Sequence, residues 1–311
     1  MLKKIIRNIP QNKFLAVAEG LTAFYSNAKR RYERDKDLRP DKSGGQYLSV
    51  VAVVKNEAPY IAEWIEYHLL AGVEKFYIYD NESDDNIKEI LEPYIKEGIV
   101  EYIFWHGKGQ QIIVYNDAVE RFRYNSFWLA FIDIDEFIVP ISTKTIPEFL
   151  KDFEDVCGIE INWIMYGDSG HKTKTEGLVI ERFKDHSEDD FAENRQVKTI
   201  LNPRHVLCMQ VHHACYVKQT SVNSDKNKNK KYFPNRKPLF NKIRINHYFT
   251  KSYEEFLAKQ AKGRVAPSFA DKKLGDEYYH VNDERNIVKN DGIMDKYIPL
   301  VKQNIAKRFA K

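Results

Sequence analysis

The order of strand and helix signals predicts an α/β fold: a mostly parallel central sheet with helices on both faces, plus helical N- and C-terminal extensions. Three observations carry that reading. Leu48 to Val54 is an unbroken, largely β-branched run, the pattern of a strand buried on both sides. Between such runs lie segments whose apolar residues recur at helical spacing. Polar clusters close three of the strand runs: Lys55, Asn56 and Glu57; Asp80 to Asp84; and Asp133 to Asp135. Ligands of parallel sheets bind beyond the carboxyl ends of the strands, where these clusters fall.

The elements follow in order. After the first strand, Pro59 to Leu70 places Ile61, Trp64, Ile65 and Leu69 on one helical face, and Gly72 stops it. Lys75 to Tyr79 is a second strand. Residues 85–97 form a helix with Ile87, Ile90, Leu91, Tyr94 and Ile95 inward and Gly98 behind it. Ile99 to Trp105 is a third strand, 110–123 a helix, and Phe127 to Ile132 a fourth, strongly apolar strand. Thr145 and Glu148 open a short helix as a capping box, as do Ser252 and Glu255 further on. Strand-like runs cover Ile159–Met165, Leu178–Phe183, Val197–Leu201, Val206–Val217 and Lys242–Asn246. A basic helix is expected over 294–309, and the Lys/Asn-rich stretch 223–237 is the segment least suited to regular structure. No internal repeat is present.

A composition of 43% hydrophobic and 30% charged residues is that of a globular protein, and 311 residues bury a large core. The net charge of +4 is unevenly spread: residues 1–39 carry 10 Lys and Arg against 4 acids. A second run, Lys226 to Arg244, has 8 basic residues and no acid. Both are either solvated segments or contacts to phosphates and anionic headgroups. Ile5, Ile9, Phe14, Val17, Leu21 and Phe24 give the arm an amphipathic pattern, either membrane-lying or packed on the protein. No apolar run approaches the roughly 18 residues that cross a bilayer. Cys157, Cys208 and Cys215 are odd in number and not closely spaced, which argues against a disulfide framework and suits a reducing compartment.

The chemistry centres on Asp133 and Asp135. On a continuing strand they project to one side, and two like-sided carboxylates at a buried strand end need a cation. A hard ion, Mn²⁺ or Mg²⁺, takes oxygen ligands and bridges to diphosphates. Asp35 and Asp37 have the same spacing but sit in the solvated arm. Asp80 either hydrogen-bonds a base or ribose or caps the next helix with Asp84 and Asp85. Asn56 and Glu57 face the same choice at the first strand–helix turn. Gln110 and Asn116 flank a helix start, where surface polarity alone also explains them. His247 ends a strand and is either a nitrogen ligand to the same cation or a structural histidine. His212 and His213, on opposite strand faces, are fold residues. Lys251 is placed to neutralise a diphosphate. Asp168, between Gly167 and Gly170, is either a general base or part of a β-turn. Trp163 is either a sugar-stacking platform or core.

The motifs Val54–Glu57, Tyr60, Glu63, Trp64, Tyr67, His68, Gly72 and Phe76 to Asp85 resemble the nucleotide-sugar half of glycosyltransferase family 92 and related family 2-like bacterial enzymes. Trp128 with Asp133 to Phe137 is similar to that family's metal motif. Trp163, Tyr166 to His171, Asn246 to Tyr248 and Lys251 to Phe256 are similar to its downstream blocks, so the resemblance covers residues 47–260. It implies a GT-A (nucleotide-diphospho-sugar transferase) fold, a UDP-sugar donor, Mn²⁺ or Mg²⁺, and inverting transfer with galactose a frequent sugar. It also implies that Asp133 and Asp135 face metal and diphosphate, that His247 is a third ligand, and that Asp80 contacts the nucleoside. Asn56, Glu57, Asn81, Asp84, Gln110, Asn116 and Lys251 are further donor-site candidates from their own places in the chain. Asp168 as catalytic base extends that picture. The division expected is an arm over 1–45, a catalytic domain over 46–262 (nucleotide-sugar half 46–140, acceptor half 141–262), and a helical extension over 263–311.

The expected activity is therefore hexose transfer to a glycan or lipid-linked saccharide, in bacterial surface polysaccharide synthesis. No nucleic-acid partner is expected. A cytoplasmic enzyme is expected, peripheral at the inner membrane face through its basic arm. Two other readings of the same residues are a glycoside hydrolase with paired carboxylates and a non-catalytic nucleotide- or glycan-binding module.

Overall fold

Alternation along the first strand sets the layers. A computed structural model of the chain describes residues 45–228, 237–262 and 275–310, with Lys29 and Glu33 besides. In it β1 (Gln46–Val54) is buried from Leu48 onward. Val50, Ala52 and Val54 join one apolar cluster with Ile61 and Trp64 of α1 (Ala58–Leu70) and Leu91 and Tyr94 of α2 (Ile87–Lys96). Val51 and Val53 join the opposite cluster with Val114, Ala118 and Phe122 of α3 (Gln111–Phe122). Successive side chains of a strand face opposite ways, so this one run needs helices on both sides.

Strands β2 (Lys75–Asp80), β3 (Val100–Phe104) and β4 (Ser126–Phe131) complete the parallel half. Beyond them come β5 (Glu136–Pro140), β6 (Gly158–Met165), β7 (Val197–Leu201), β8 (Val206–Met209), β9 (Ala214–Tyr216) and β10 (Ile243–His247). Eight strands form one sheet in the order β3-β2-β1-β4-β7-β6-β10-β5, and β8 pairs with β9 separately. From β3 to β4 all pairings are parallel, whereas β4–β7, β6–β7 and β5–β10 are antiparallel and β6–β10 is parallel. The mostly parallel sheet expected from the sequence thus describes the first half; the second half is mixed. The remaining helices are α4 (Ile146–Leu150), α5 (Val179–Arg182), α6 (Tyr253–Lys262), α7 (Asp276–Arg285) and α8 (Ile298–Arg308). The capping box at Ser252 forms in full, with the Glu255 amide donating to Ser252 Oγ at 3.2 Å and the Ser252 amide to Glu255 Oε2 at 3.3 Å. At Thr145 only half of it does: the Glu148 amide donates to Thr145 Oγ1 at 3.3 Å, while the Glu148 carboxylate accepts the Lys144 amide instead.

Four expectations need correction. Leu178–Phe183 is not a strand: the Glu63 carboxylate accepts the amides of Val179 and Ile180 at 2.7 and 3.0 Å and starts the one-turn helix α5 instead. Val206–Val217 is a hairpin rather than one strand, because the chain reverses after Met209. Asp133 to Asp135 do not continue β4. The Glu136 amide donates to Asp133 O at 3.1 Å and closes a turn that redirects the chain into β5. The terminal helix is shorter than 294–309, beginning at Ile298, and α7 and β5 carry no strong periodic signal. The basic arm apart from Gly45, Lys29 and Glu33, the loop 229–236 and the segment 263–274 lie outside the described residues.

Candidate active site

The registers Val54↔Asp80 and Asp80↔Phe104 bring the ends of β1, β2 and β3 level, and β4 ends beside β1. The loops leaving these ends are tied to one another. The Asn56 amide, at φ 54°, donates to Ser83 Oγ at 2.9 Å, and Asn56 Oδ1 accepts the Asp84 amide at 2.9 Å. Asp80 accepts the Ser83 amide at 2.9 Å and the Tyr102 hydroxyl at 2.6 Å. Asn81 Nδ2 donates to Gly107 O at 2.7 Å and Trp105 O at 3.2 Å, fixing the loop after β3. Asp85, not Asp84, supplies the carboxylate at the start of α1, accepting the Ala58 amide at 2.9 Å; Asp84 is exposed. Glu57 occupies the N-cap position of α1 without a side-chain cap bond. Asn56 and Asn81 are thus structural ties of the crevice, while each Asp80 oxygen keeps a lone pair for a further donor.

The aspartate turn joins the two halves of the sheet. Asp133 Oδ1 accepts from Gln111 Nε2 at 3.1 Å and Tyr115 OH at 3.4 Å, and its Oδ2 from Lys198 Nζ at 2.8 Å. Lys198 lies 3.7 Å from Glu136, whose Oε2 accepts the Asp133 amide at 3.0 Å. Asp135 pairs with Lys259 through Oδ2, and its Oδ1 stands 3.6 Å from His247 Nε2. His247 Nε2 is 4.0 Å from Glu136 Oε1, and the Trp163 ring packs 4.3 Å from the imidazole, centroid to centroid.

Burial would raise the Asp135 carboxyl, yet Lys259 and His247 outweigh it and hold the group well below the usual carboxylate range. Burial favours neutral Lys198, but Asp133 and Glu136 overcome this and keep it an ammonium. Lys198 sits closer to Asp133. Burial, joined by repulsion from Asp133 and Asp135, therefore pushes Glu136 well up despite that lysine. Burial also lowers His247, against the pull of Asp135, which favours the neutral imidazole that ligates metals.

The residues fit a hard divalent ion around Asp135 rather than around Asp133. Two buried atoms there that could accept, Glu136 Oε1 and His247 Nδ1, lack a hydrogen-bond partner, while His247 Nε2 is the ring nitrogen beside Asp135. Such atoms are rare unless a ligand or ion completes the site. Asp135 and His247 would hold the ion, with Lys259 displaced. Asp133 is committed to Lys198, Gln111 and Tyr115, so the three-ligand set expected from sequence is not assembled. Among the described residues no three His, Cys, Asp or Glu side chains form a ready cage.

Other expected residues lie elsewhere. Gln110 turns back to Lys108 O at 2.9 Å, and its neighbour Gln111 is the one that reaches Asp133. Asn116 clasps Met209, donating to its carbonyl at 3.0 Å and accepting its amide at 2.9 Å, and so anchors β8 rather than a ligand. Lys251 is buried at φ 52°, its Nζ 4.5 Å from the centroid of the Tyr60 ring. Asp168 accepts the Gly170 amide at 2.7 Å, Lys172 Nζ at 2.6 Å and the Tyr279 hydroxyl. Burial notwithstanding, those donors hold it below its ordinary value. Oδ1 closes the local turn and Oδ2 fastens α7 through Tyr279, and the base role finds no geometric support. His212 and His213 take separate partners, Val197 O at 2.9 Å and Glu160 at 3.2 Å. Sequence reasoning missed Gln111, Tyr115, Lys198 and Lys259. A lysine inside the apolar strand Val197–Leu201 was the available signal, since a buried ammonium requires an acid.

A level row of parallel strand ends, closed by an acidic turn, defines a GT-A class α/β protein. The sequence profile of glycosyltransferase family 92 matches residues 49–278, and the chain belongs to that family. A family 92 protein of Oryza sativa subsp. japonica is 33% identical over 108 residues, 34% of this chain and 18% of its own length. A β-1,4-galactosyltransferase of Caenorhabditis elegans is 27% identical over 255 residues, 75% of this chain and 56% of that one. Among solved structures, S. aureus TarS 1–349 aligns at 13% identity over 86% of this chain and 76% of that chain, with a TM-score of 0.38. The chain thus spans only part of the curated relatives it matches. Among the described residues no helix is long and apolar enough to cross a membrane.

Proposed function

We propose that the chain transfers a hexose, galactose first among candidates, from a UDP-sugar to a saccharide or lipid-linked saccharide acceptor with inversion. The observation that carries this reading is the pairing of Asp135 with His247, 3.6 Å apart, in the turn that follows β4, next to β1 in the parallel half of the sheet. Family membership supports the reaction class, and the nematode relative's name supports the sugar. Asp135 and His247 would hold Mn²⁺ or Mg²⁺, and a bound ion supplies Lewis-acid stabilisation of a departing diphosphate. Lys198 offsets the charge of Asp133, so the turn meets a polyanionic donor without a second bare carboxylate. Asp80, two strand spacings or about 10 Å across the sheet from the aspartate turn, suits the nucleoside end of the donor.

The test is a panel of UDP-sugars assayed for manganese-dependent sugar release, with Asp135→Asn alongside. Loss of turnover on the order of a thousandfold with an unchanged circular dichroism spectrum is expected. Wild-type turnover in the variant, or metal-independent cleavage of a polysaccharide without nucleotide, would end the proposal.

A further inference from the structure

We propose that Cys208 and Cys215 form a reversible intrachain disulfide across the β8–β9 hairpin. The antiparallel register sets Cys208 opposite Cys215, next to the regular pair Met209↔Ala214 and one irregular step, at Leu207, from Val206↔Tyr216. Opposed residues of an antiparallel pair share a sheet face, with Cα atoms about 4.5–5.5 Å apart. That spacing falls inside the window of about 4.4–6.8 Å that a disulfide requires. Both cysteines are part-exposed, so a soluble oxidant reaches them, and both are thiols in this structure. Cys157 is the internal contrast: it is buried, donates to Gln219 Oε1 at 3.3 Å, and burial pushes its thiol up to about 11. Linear spacing concealed the pair, because only the reversal at Gln210–His213, closed by a 2.7 Å bond from the Gln210 amide to His213 O, brings the two together.

The hairpin so joined is not an isolated surface ribbon. Asn116 grips Met209 from the helix that presents Gln111 and Tyr115 to Asp133. At the tip, the His212 ring lies 5.3 Å from Trp163, which in turn packs on His247. A bond between the strands therefore stiffens a segment that contacts the helix holding Asp133 on one side and the ring packed against His247 on the other.

The reaction is a pair of thiol–disulfide exchanges with a low-molecular-weight disulfide such as glutathione disulfide. One cysteine thiolate attacks it, forming a mixed disulfide and releasing one glutathione. The opposing thiolate then attacks the protein-side sulfur, forming the Cys208–Cys215 bond and releasing the second. Two protein thiols are oxidised, one glutathione disulfide is reduced, and the two thiol protons end on the two glutathiones.

The full chain is equilibrated across glutathione redox mixtures, natively and in urea, then alkylated with N-ethylmaleimide and cut with trypsin. No Lys or Arg lies between Arg204 and Lys218, so one peptide, His205 to Lys218, reports both cysteines. Under oxidising mixtures it should lose two hydrogens and take no maleimide, while the Cys157 peptide takes one. The native midpoint should lie at a ratio about tenfold more reducing than in urea, because the fold raises the effective concentration of the second thiol. Cys208→Ser should instead accumulate glutathione on Cys215, having lost the resolving thiol. Full alkylation of both cysteines at every native ratio would overturn the proposal. So would equal native and urea midpoints, or a stable glutathione adduct on the wild-type peptide.

Discussion

The two halves of the sheet are built by different rules. From β3 to β4 every neighbour is parallel, and the polar residues beyond the strands mostly tie loops to loops, as Asn56 does to Ser83 and Asp84. From β7 to β5 the pairing is mixed, and this half sends two ammonium groups and an imidazole into the crevice: Lys198 from β7, Lys259 from α6 and His247 from β10. The contrast teaches that the first half shapes the crevice while the second sets its electrostatics.

The largest expected effect breaks the electrostatic half. Lys198→Met leaves Asp133 and buried Glu136 without their cation and should cost about 4 kcal/mol in urea unfolding; an unchanged midpoint would show that the lysine is not needed there. The seam between the halves comes next. Burial, opposed by the Ile180 and Val179 amides, raises Glu63 to about 7. Its folded value exceeds its unfolded one, so the stability it contributes is complete below about pH 4.5 and is lost as pH rises through 7. Chemical unfolding at pH 5 and pH 8 should differ by roughly 3 kcal/mol from this group, and Glu63→Gln should flatten that slope. A smaller effect sharpens the assignment of Asp168. Asp168→Asn should lower stability by about 1 kcal/mol by weakening the Lys172 contact, with turnover per folded molecule intact. A fall in kcat at full folding would restore it as a base. Smallest is Gln111→Ala, which removes one donor to Asp133 and should weaken UDP binding by roughly 1 kcal/mol or less in calorimetry.

The same contrast explains what was legible in the sequence. Strand β1 and helices α1 to α3 announce themselves because burial on two faces and helical periodicity both leave marks in linear order. The anionic side of the site was visible for the same reason: Asp133 and Asp135 follow an apolar run, and His247 beside them ends a strand. Their cationic partners were not, since Lys198 and Lys259 approach only through pairings between distant segments. Choosing Gln110 over Gln111 was a boundary error with a geometric cost, because one residue along a helix turns the side chain by about 100°. Leu178–Phe183 was misread because its conformation is set by Glu63, more than a hundred residues upstream.

Lys259 on Asp135 has a thermodynamic corollary. Any divalent ion arriving at that oxygen must evict an ammonium that also reaches Phe249 O, so its apparent affinity is the difference between two competing attractions. Grip on the incoming ion and grip of α6 on the sheet are then opposite pans of one balance. Replacing that lysine should tighten ion binding and loosen the helix together.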